Sequence, residues 1–228
     1  VSEVTAKDLH LMPLFEGFSP EVLEPLARQM ALRSHAVNQA IVLQNDWGST
    51  VYFILEGWVK IRTHDTEGRE ITLTILGPGE IFGEMAALDE APRSSDVVAL
   101  TPTKVCSLSA QHFLAFLAAN AQAGIRLAQL MSRRLRQLNR RLQLREASSV
   151  ARVADILLFL AESRGWVSRS GVEIPNLPHR ELSSLSGLAR ETVTRVLSKL
   201  ERKELIRRDR SRNILCIPQL EALEKLLG

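Results

Sequence analysis

The segment Gly79-Glu80-Ile81-Phe82-Gly83-Glu84-Met85-Ala86-Ala87-Leu88, followed by Pro92-Arg93-Ser94-Ser95, collects residue types that handle an anion. Glycines let the backbone approach a ligand and turn its N–H groups outward, an arginine supplies a charge-assisted phosphate contact, and a serine hydroxyl adds a neutral donor. A carboxylate repels phosphate, so Glu84 belongs in such a pocket only as an acceptor from a sugar hydroxyl. Phosphate and ribose at adjacent positions mean a nucleotide. The same pattern also fits a turn followed by a surface ion pair.

A second constellation runs from Glu181 to Leu197, E-L-S-S-L-S-G-L-A-R-E-T-V-T-R-V-L. A short helix, a turn at Gly187 and a second helix with Val193, Val196, Leu197 and Leu200 on its inner face make a helix-turn-helix. Its outer face offers Arg190, Glu191 and Arg195 near the N-terminal end. Arginine pairs in bidentate fashion with guanine O6 and N7, and a carboxylate accepts from cytosine N4, so these are base-reading types. A solvated helix face with a Glu191–Arg195 pair at i, i+4 is the alternative.

The elements that must position these residues fall into three segments. From Ile41 to Leu108 short β-rich runs recur: Thr50–Leu55, Trp58–Ile61, Glu70–Leu76, Ser95–Ala99 and Lys104–Leu108. Gly48, Gly57, Gly68, Gly77 and Gly79 punctuate them at expected positive-φ turns, and this spacing favours a sandwich, barrel or jelly roll. Ser19-Pro20-Glu21 opens a small helix packed on that roll. Ser109 caps a helical stretch free of proline until Pro175, in which Leu127, Met131, Leu135, Leu138 and Leu142 form one apolar face. Arginines fill the other positions of a helix of about 28 residues, on the order of 42 Å long. Pairing with a second copy in a coiled coil buries the apolar face, and a helix lying on its own domain is the alternative. From Ser148 onward come an amphipathic helix over 150–162, a loop or short hairpin between Gly165 and Gly171, helices over 179–184 and 190–203, and a basic hairpin over 205–217 that reads as a wing.

Charge follows the same division. Residues 1–118 carry 8 basic and 15 acidic side chains, residues 119–147 carry 7 and 1, and residues 148–228 carry 14 and 10. An acidic front and a basic rear assign any polyanion to the rear. The 228 residues are 45% hydrophobic, enough for a core, and no apolar run approaches the ~20 residues of a membrane span. With no signal-like pattern over Val1–Pro13, the expected location is the cytoplasm. Cys106 and Cys216 each sit in an apolar run and read as small buried hydrophobes, and the five histidines show no metal-ligand spacing.

The run G-E-x-F-G-E-x-A-x-L…R-S, with Tyr52-Phe53-Ile54-Leu55-Glu56-Gly57-Trp58-Val59-Lys60 before it, resembles the phosphate-binding cassette of the cyclic-nucleotide-binding fold. With R-E-T-V-x-R in the second helix, nearly the whole chain resembles the cyclic AMP receptor protein/fumarate-nitrate regulator family of bacterial transcription factors, and most of all its cyclic AMP receptor proteins. The resemblance implies an α+β chain: a cyclic-nucleotide-binding β-roll over 1–118, a dimerisation helix over 119–147 and a winged helix-turn-helix over 148–228. It implies that Gly83 and Glu84 meet the ribose 2′-hydroxyl and Arg93 and Ser94 the cyclic phosphate, with the backbone of Met85 and Ala86 completing the cradle. Leu138 and Asn139 fall where the family has a Thr-Ser pair on adenine. Leu138 offers no hydrogen bond, so a regulator of this fold that answers another nucleotide, or none, is the competing expectation. For DNA, the resemblance implies base contacts from Arg190, Glu191 and Arg195 to a TGTGA-like palindrome, and phosphate contacts from Thr192, His179, Arg208, Arg210 and Arg212. It also implies a homodimer controlled allosterically by cyclic AMP, and an RNA polymerase surface around residues 164–172. An enzyme acting on cyclic nucleotides lacks a metal site or activated nucleophile by the cassette, an iron–sulfur sensor lacks thiolates, and a haem sensor would rest on His64 or Cys106.

Overall fold

The structure, a computed structural model, describes residues 3–227 except for the side chains of Ser163 and Arg164. The chain divides into two compact units, Val1–Ser132 and Arg133–Gly228.

The first unit begins with α1 (Ala6–His10), a 3-10 turn at Pro13–Phe15 and α2 (Pro20–Ala27), then builds eight strands: β1 (Ala31–His35), β2 (Ala40–Val42), β3 (Thr50–Glu56), β4 (Val59–His64), β5 (Glu70–Leu76), β6 (Ile81–Phe82), β7 (Asp96–Ala99) and β8 (Thr103–Ser109). The short α3 (Glu84–Leu88) follows β6, and α4 (Ala110–Ala119) follows β8. Two antiparallel sheets of four strands result, ordered β1-β8-β3-β6 and β2-β7-β4-β5. Period-2 alternation along β3 gives each sheet face its job. Ile54, with Val105 and Phe82, packs on Val42, Val59, Leu76 and Val97 of the other sheet, and Tyr52 and Ile61 face the same interior half-buried. Val51 and Phe53, with Cys106 and Leu108, point the other way onto Leu9, Phe15, Leu23, Phe113 and Leu127 of the helices. The β-roll is therefore closed on one face by helices.

Three turn glycines behave as expected: Gly57, Gly68 and Gly79 have positive φ. Gly48 and Gly77 do not, and are needed for space instead: a Cβ on Gly48 would lie 2.9 Å from Arg93 Nη2, and one on Gly77 2.9 Å from the Trp58 ring. The helical stretch after Ser109 is also not one helix. Ser109 accepts from His112 N at 3.3 Å to cap α4, and the chain breaks at Asn120, whose Nδ2 donates to Phe116 O at 2.9 Å, before α5 (Ala121–Gln143) runs for 23 residues. A 3-10 turn, Leu144–Glu146, ends it.

The second unit contains α6 (Ser149–Arg164), β9 (Trp166–Ser168), β10 (Gly171–Pro175), α7 (His179–Ser186), α8 (Arg190–Arg202), β11 (Arg207–Asp209), β12 (Ile214–Ile217) and α9 (Leu220–Glu224). Its sheet has the order β11-β12-β10-β9, all antiparallel, so the expected wing is the outer hairpin of a four-stranded sheet. Cys216 is buried on β12 and Cys106 on β8, both as free thiols. Among the described residues no helix is long and apolar enough to cross a membrane, and no cluster of His, Cys, Asp and Glu has metal-binding geometry.

Candidate nucleotide and DNA sites

Arg93 is the centre of the first site. Only 5% exposed, its guanidinium donates to two backbone carbonyls, Gly83 O at 2.8 Å and Thr50 O at 2.7 Å. Its own backbone is pinned to the 45–46 turn, Arg93 N to Asp46 O and Asn45 N to Arg93 O, both at 2.9 Å. The Tyr52 ring lies 6.0 Å from its Cζ and stacks on Phe82, centroids 4.9 Å apart. No carboxylate is within ion-pair distance of Arg93 among the described residues, so the arginine is neither at the surface nor ion-paired. A buried cation with only dipolar partners favours an incoming anion, and a guanidinium fork matches phosphate.

Gly83 holds the edge of this site. With φ +78 it caps the start of α3, and a Cβ would stand 2.6 Å from Arg93 Nη1 and 3.0 Å from Thr50 O. Both backbone conformation and space thus require glycine. Glu84 is buried at 3% exposure, Met85 is exposed, Ala86 is half-buried and Ser94 is exposed. As the first residues of α3, Glu84, Met85 and Ala86 carry N–H groups with no partner inside the helix. Gly48, Thr50 and Tyr52 lie against Arg93 and Phe82 stacks on Tyr52, whereas the sequence shows Gly48 only as a turn glycine, Thr50 and Tyr52 as strand, and Phe82 within the glycine-rich run. Leu138 and Asn139, expected at the base, are exposed on α5 within the second unit, whereas the phosphate-side residues belong to the first.

In the second unit, α7 ends at Gly187 with φ +62, and Leu188-Ala189 leads into α8. Ser183 Oγ donates to Leu188 O at 2.6 Å, fixing the turn, while Val193, Val196, Leu197 and Leu200 bury the inner face. Arg190, Glu191 and Arg195 are all exposed on the opposite face. Arg195 Nη2 donates to Thr192 Oγ1 at 3.3 Å and forms no ion pair with Glu191 among the described residues. His179 Nδ1 lies 2.8 Å from Thr194 Oγ1, which donates to Arg190 O at 3.0 Å. Burial, reinforced by Arg208 and Arg190, holds the His179 imidazole below its usual range, so it is neutral at pH 7. At the wing Asp209 Oδ1 accepts from the backbone of Ser211 and Arg212 at 3.0 and 3.1 Å, closing the tip. Arg210 projects from it exposed, whereas Arg208 is ion-paired with Glu201 and Arg212 with Glu173 at 2.8 Å. Those two acids, like Thr194, lay outside the sequence-based site.

Comparison with known proteins matches residues 32–120 to the cyclic nucleotide-binding domain and residues 151–226 to the Crp-like helix-turn-helix domain. The cyclic AMP receptor protein of Thermus thermophilus is 36% identical over 86% of this chain and 88% of its own length. The chain belongs to the cyclic AMP receptor protein/fumarate-nitrate regulator family. The crystal structure of the Thermus thermophilus catabolite activator protein matches 94% of this chain and 98% of its own at 32% identity with a TM-score of 0.52. FixK2 from Bradyrhizobium japonicum, at 20% identity and a TM-score of 0.74 over 87% of this chain and 98% of its own, shares the fold. The protein is thus a DNA-binding transcription regulator with a cyclic-nucleotide-binding β-roll, a long helix and a helix-turn-helix domain. Members of this family are regulators, not known as enzymes. Of the 164–172 segment expected to face RNA polymerase, the described part is the β9–β10 hairpin, with Val167 87% exposed, while the side chain of Arg164 lies outside the described residues.

Proposed function

We propose that this regulator acts in the cytoplasm as a homodimer that binds cyclic AMP in the β-roll and, so loaded, recognises a TGTGA-like palindrome. Arg93 and Ser94 hold the cyclic phosphate, Gly83 and Glu84 the ribose, and the backbone of Met85 and Ala86 completes the cradle. Leu138 packs against the base and Asn139 offers it an amide. Arg190, Glu191 and Arg195 read bases in the major groove, while Thr192, His179, Arg208, Arg210 and Arg212 meet phosphates. Residues 1–118, 119–147 and 148–228 serve as nucleotide-binding, dimerising and DNA-binding segments, and the β9–β10 hairpin faces RNA polymerase. The observation that carries the ligand reading is the buried Arg93 guanidinium, whose hydrogen-bond acceptors among the described residues are two backbone carbonyls. Exposed Leu135, Leu138 and Leu142 on α5 support pairing with a second copy.

A second reading, with another nucleotide or none, is favoured by Leu138, which is apolar where the family contacts adenine. Fluorescence anisotropy of a palindromic duplex at fixed salt, with and without cyclic AMP, separates the two. Binding tightened by the nucleotide is the expected result. Tight binding indifferent to cyclic AMP overturns the ligand assignment and leaves the DNA reader standing.

A further inference from the structure

The wing has two kinds of arginine. Arg207 and Arg210 are exposed and have no carboxylate within ion-pair distance among the described residues. Arg208 and Arg212 are each held by an acid from elsewhere in the fold. Arg208 donates through Nε, at 3.1 Å, and through Nη2 to Glu201 Oε2 on α8, and its side chain is 16% exposed. Arg212 donates through Nη2 to Glu173 Oε2 at 2.8 Å on β10. The Glu173 carboxylate is 7% exposed, while the Arg212 side chain is 58% exposed. Opposite Glu173 in the β9–β10 register stands Trp166, whose Nε1 donates to the same Oε2 at 2.8 Å. The indole, with Arg212, holds the Glu173 carboxyl below the usual carboxylate range, so it is charged at neutral pH.

A carboxylate and a phosphodiester compete for the same guanidinium fork. We propose that Glu173 and Glu201 determine how strongly the regulator discriminates its operator from random DNA, by masking Arg212 and Arg208 in internal ion pairs that a backbone phosphate must share or displace. This rests on the assignment of those two arginines to phosphates. A loose complex on random sequence is held by whatever cations are free, and its strength follows the counterions they release. Masked arginines contribute little to it. On the operator, α8 fixes the duplex against the protein, a phosphate stays beside the wing, and the masked cations are drawn onto it. Non-specific affinity is thereby lowered more than specific affinity. Because Trp166 shares its acceptor oxygen with Arg212, the exchange also changes the charge felt by the indole, so Trp166 reports it.

The test uses the full chain and the near-isosteric Glu173→Gln, whose amide oxygen still accepts from Trp166. Anisotropy on operator and random duplexes between 50 and 200 mM salt is measured for wild type, E173Q, R212A and the double variant. E173Q is expected to bind random DNA more tightly and to steepen the salt slope by about 0.9 per protomer, about a threefold larger loss across that range. Its specificity ratio falls, and in the R212A background the same substitution has no effect. In wild type the Trp166 emission shifts when operator is added, and in R212A that shift is lost. An effective R212A with a silent E173Q overturns the masking alone. An E173Q effect that persists without Arg212 makes it a long-range charge effect and overturns it too. An R212A that changes neither affinity nor slope removes the phosphate contact itself, and the masking with it. Glu201→Gln, with its carboxylate 38% exposed, repeats the test at Arg208 should E173Q fail to fold.

Discussion

Replacing Arg93 by methionine keeps the apolar stem and removes the charge, so it separates ligand binding from folding at one position. In the folded protein the guanidinium gives two hydrogen bonds, to Gly83 O and Thr50 O, and is 5% exposed. Losing it leaves two carbonyls without their donor, at about 1–3 kcal/mol each if they stay dry, but also removes a buried cation that has no anionic partner among the described residues. These effects oppose each other. The unliganded variant should therefore melt within a few degrees of wild type, since about 1 kcal/mol moves Tm by roughly 2–4 °C at this size. Ligand binding has no such compensation. A forked charge-assisted contact to phosphate contributes about 3 kcal/mol, so Kd should rise about 150-fold. At a cyclic AMP concentration of about 100 times the wild-type Kd, ligand stabilises wild type by about 2.7 kcal/mol and the variant by about 0.3 kcal/mol. Calorimetric titration and thermal unfolding with and without nucleotide measure both quantities. A variant that keeps its affinity within about threefold while remaining folded refutes the phosphate assignment.

Alkaline pH probes the core of the roll. Burial pushes the Cys106 thiol up to about 12, whereas an unfolded thiol ionises near 8.5. Between those values the unfolded chain has lost its proton and the folded chain has not, so stability falls as pH rises, by at most about 1.4 kcal/mol per unit, and the Cys106 contribution present below about pH 8.5 is lost progressively toward 12. Denaturant unfolding of wild type and Cys106→Ala at pH 7 and 10.5 should show the gap between them narrowing by about 2–3 kcal/mol, and an unchanged gap places the thiol in a wetter site than the structure has. For α5, Leu135→Glu with Leu142→Glu puts carboxylates on residues that are 59% and 64% exposed in the single chain. Sedimentation should then show a single-chain particle where wild type sediments as two, and a wild type that is already single refutes the coiled-coil pairing.

The elements that were legible in the sequence are those whose residues carry their own pattern. The β-rich apolar runs of β3 and β5 and the apolar spacing of α8 show in the sequence alone. The edge strand β1, with Arg33 and Ser34 exposed, and the short β2 do not look like buried strands, and they were missed. Asn120 ends α4 through its own side chain, without glycine or proline, so the break before α5 gave no sign. The glycines divide the same way. Gly57 was readable because a turn needs its φ, whereas Gly48 and Gly77 matter for what stands opposite them, Arg93 and Trp58, a fact of tertiary packing. The ion pairs that hold the wing could not be read for the same reason, since Glu173 and Arg212 are 39 positions apart.

What the second unit adds to the proposed allostery is a short mechanical path from the end of α5 to the recognition helix. Leu138 and Asn139 are followed at once by Arg140 and Arg141, and both of these engage α6: Arg140 Nε lies 2.5 Å from Asp155 Oδ1, and the Arg141 guanidinium lies 4.9 Å over the Phe159 ring. Burial outweighs the pull of the two arginines and raises the Asp155 carboxyl above its usual range, so moving α5 away would raise it further. One turn earlier on α6, Arg152 donates to Arg145 O at 3.2 Å, in the 3-10 turn that ends α5, and with its other nitrogen to Ser186 O at the end of α7. Gly187 follows directly, with the turn into α8. A single guanidinium therefore ties the end of the long helix to the turn that aims Arg190, Glu191 and Arg195. Under the proposed reading, a nucleotide that shifts the last two turns of α5 has no need to contact the DNA-binding residues. It has only to favour one of two arrangements of packed helices, by as much as its affinity for them differs.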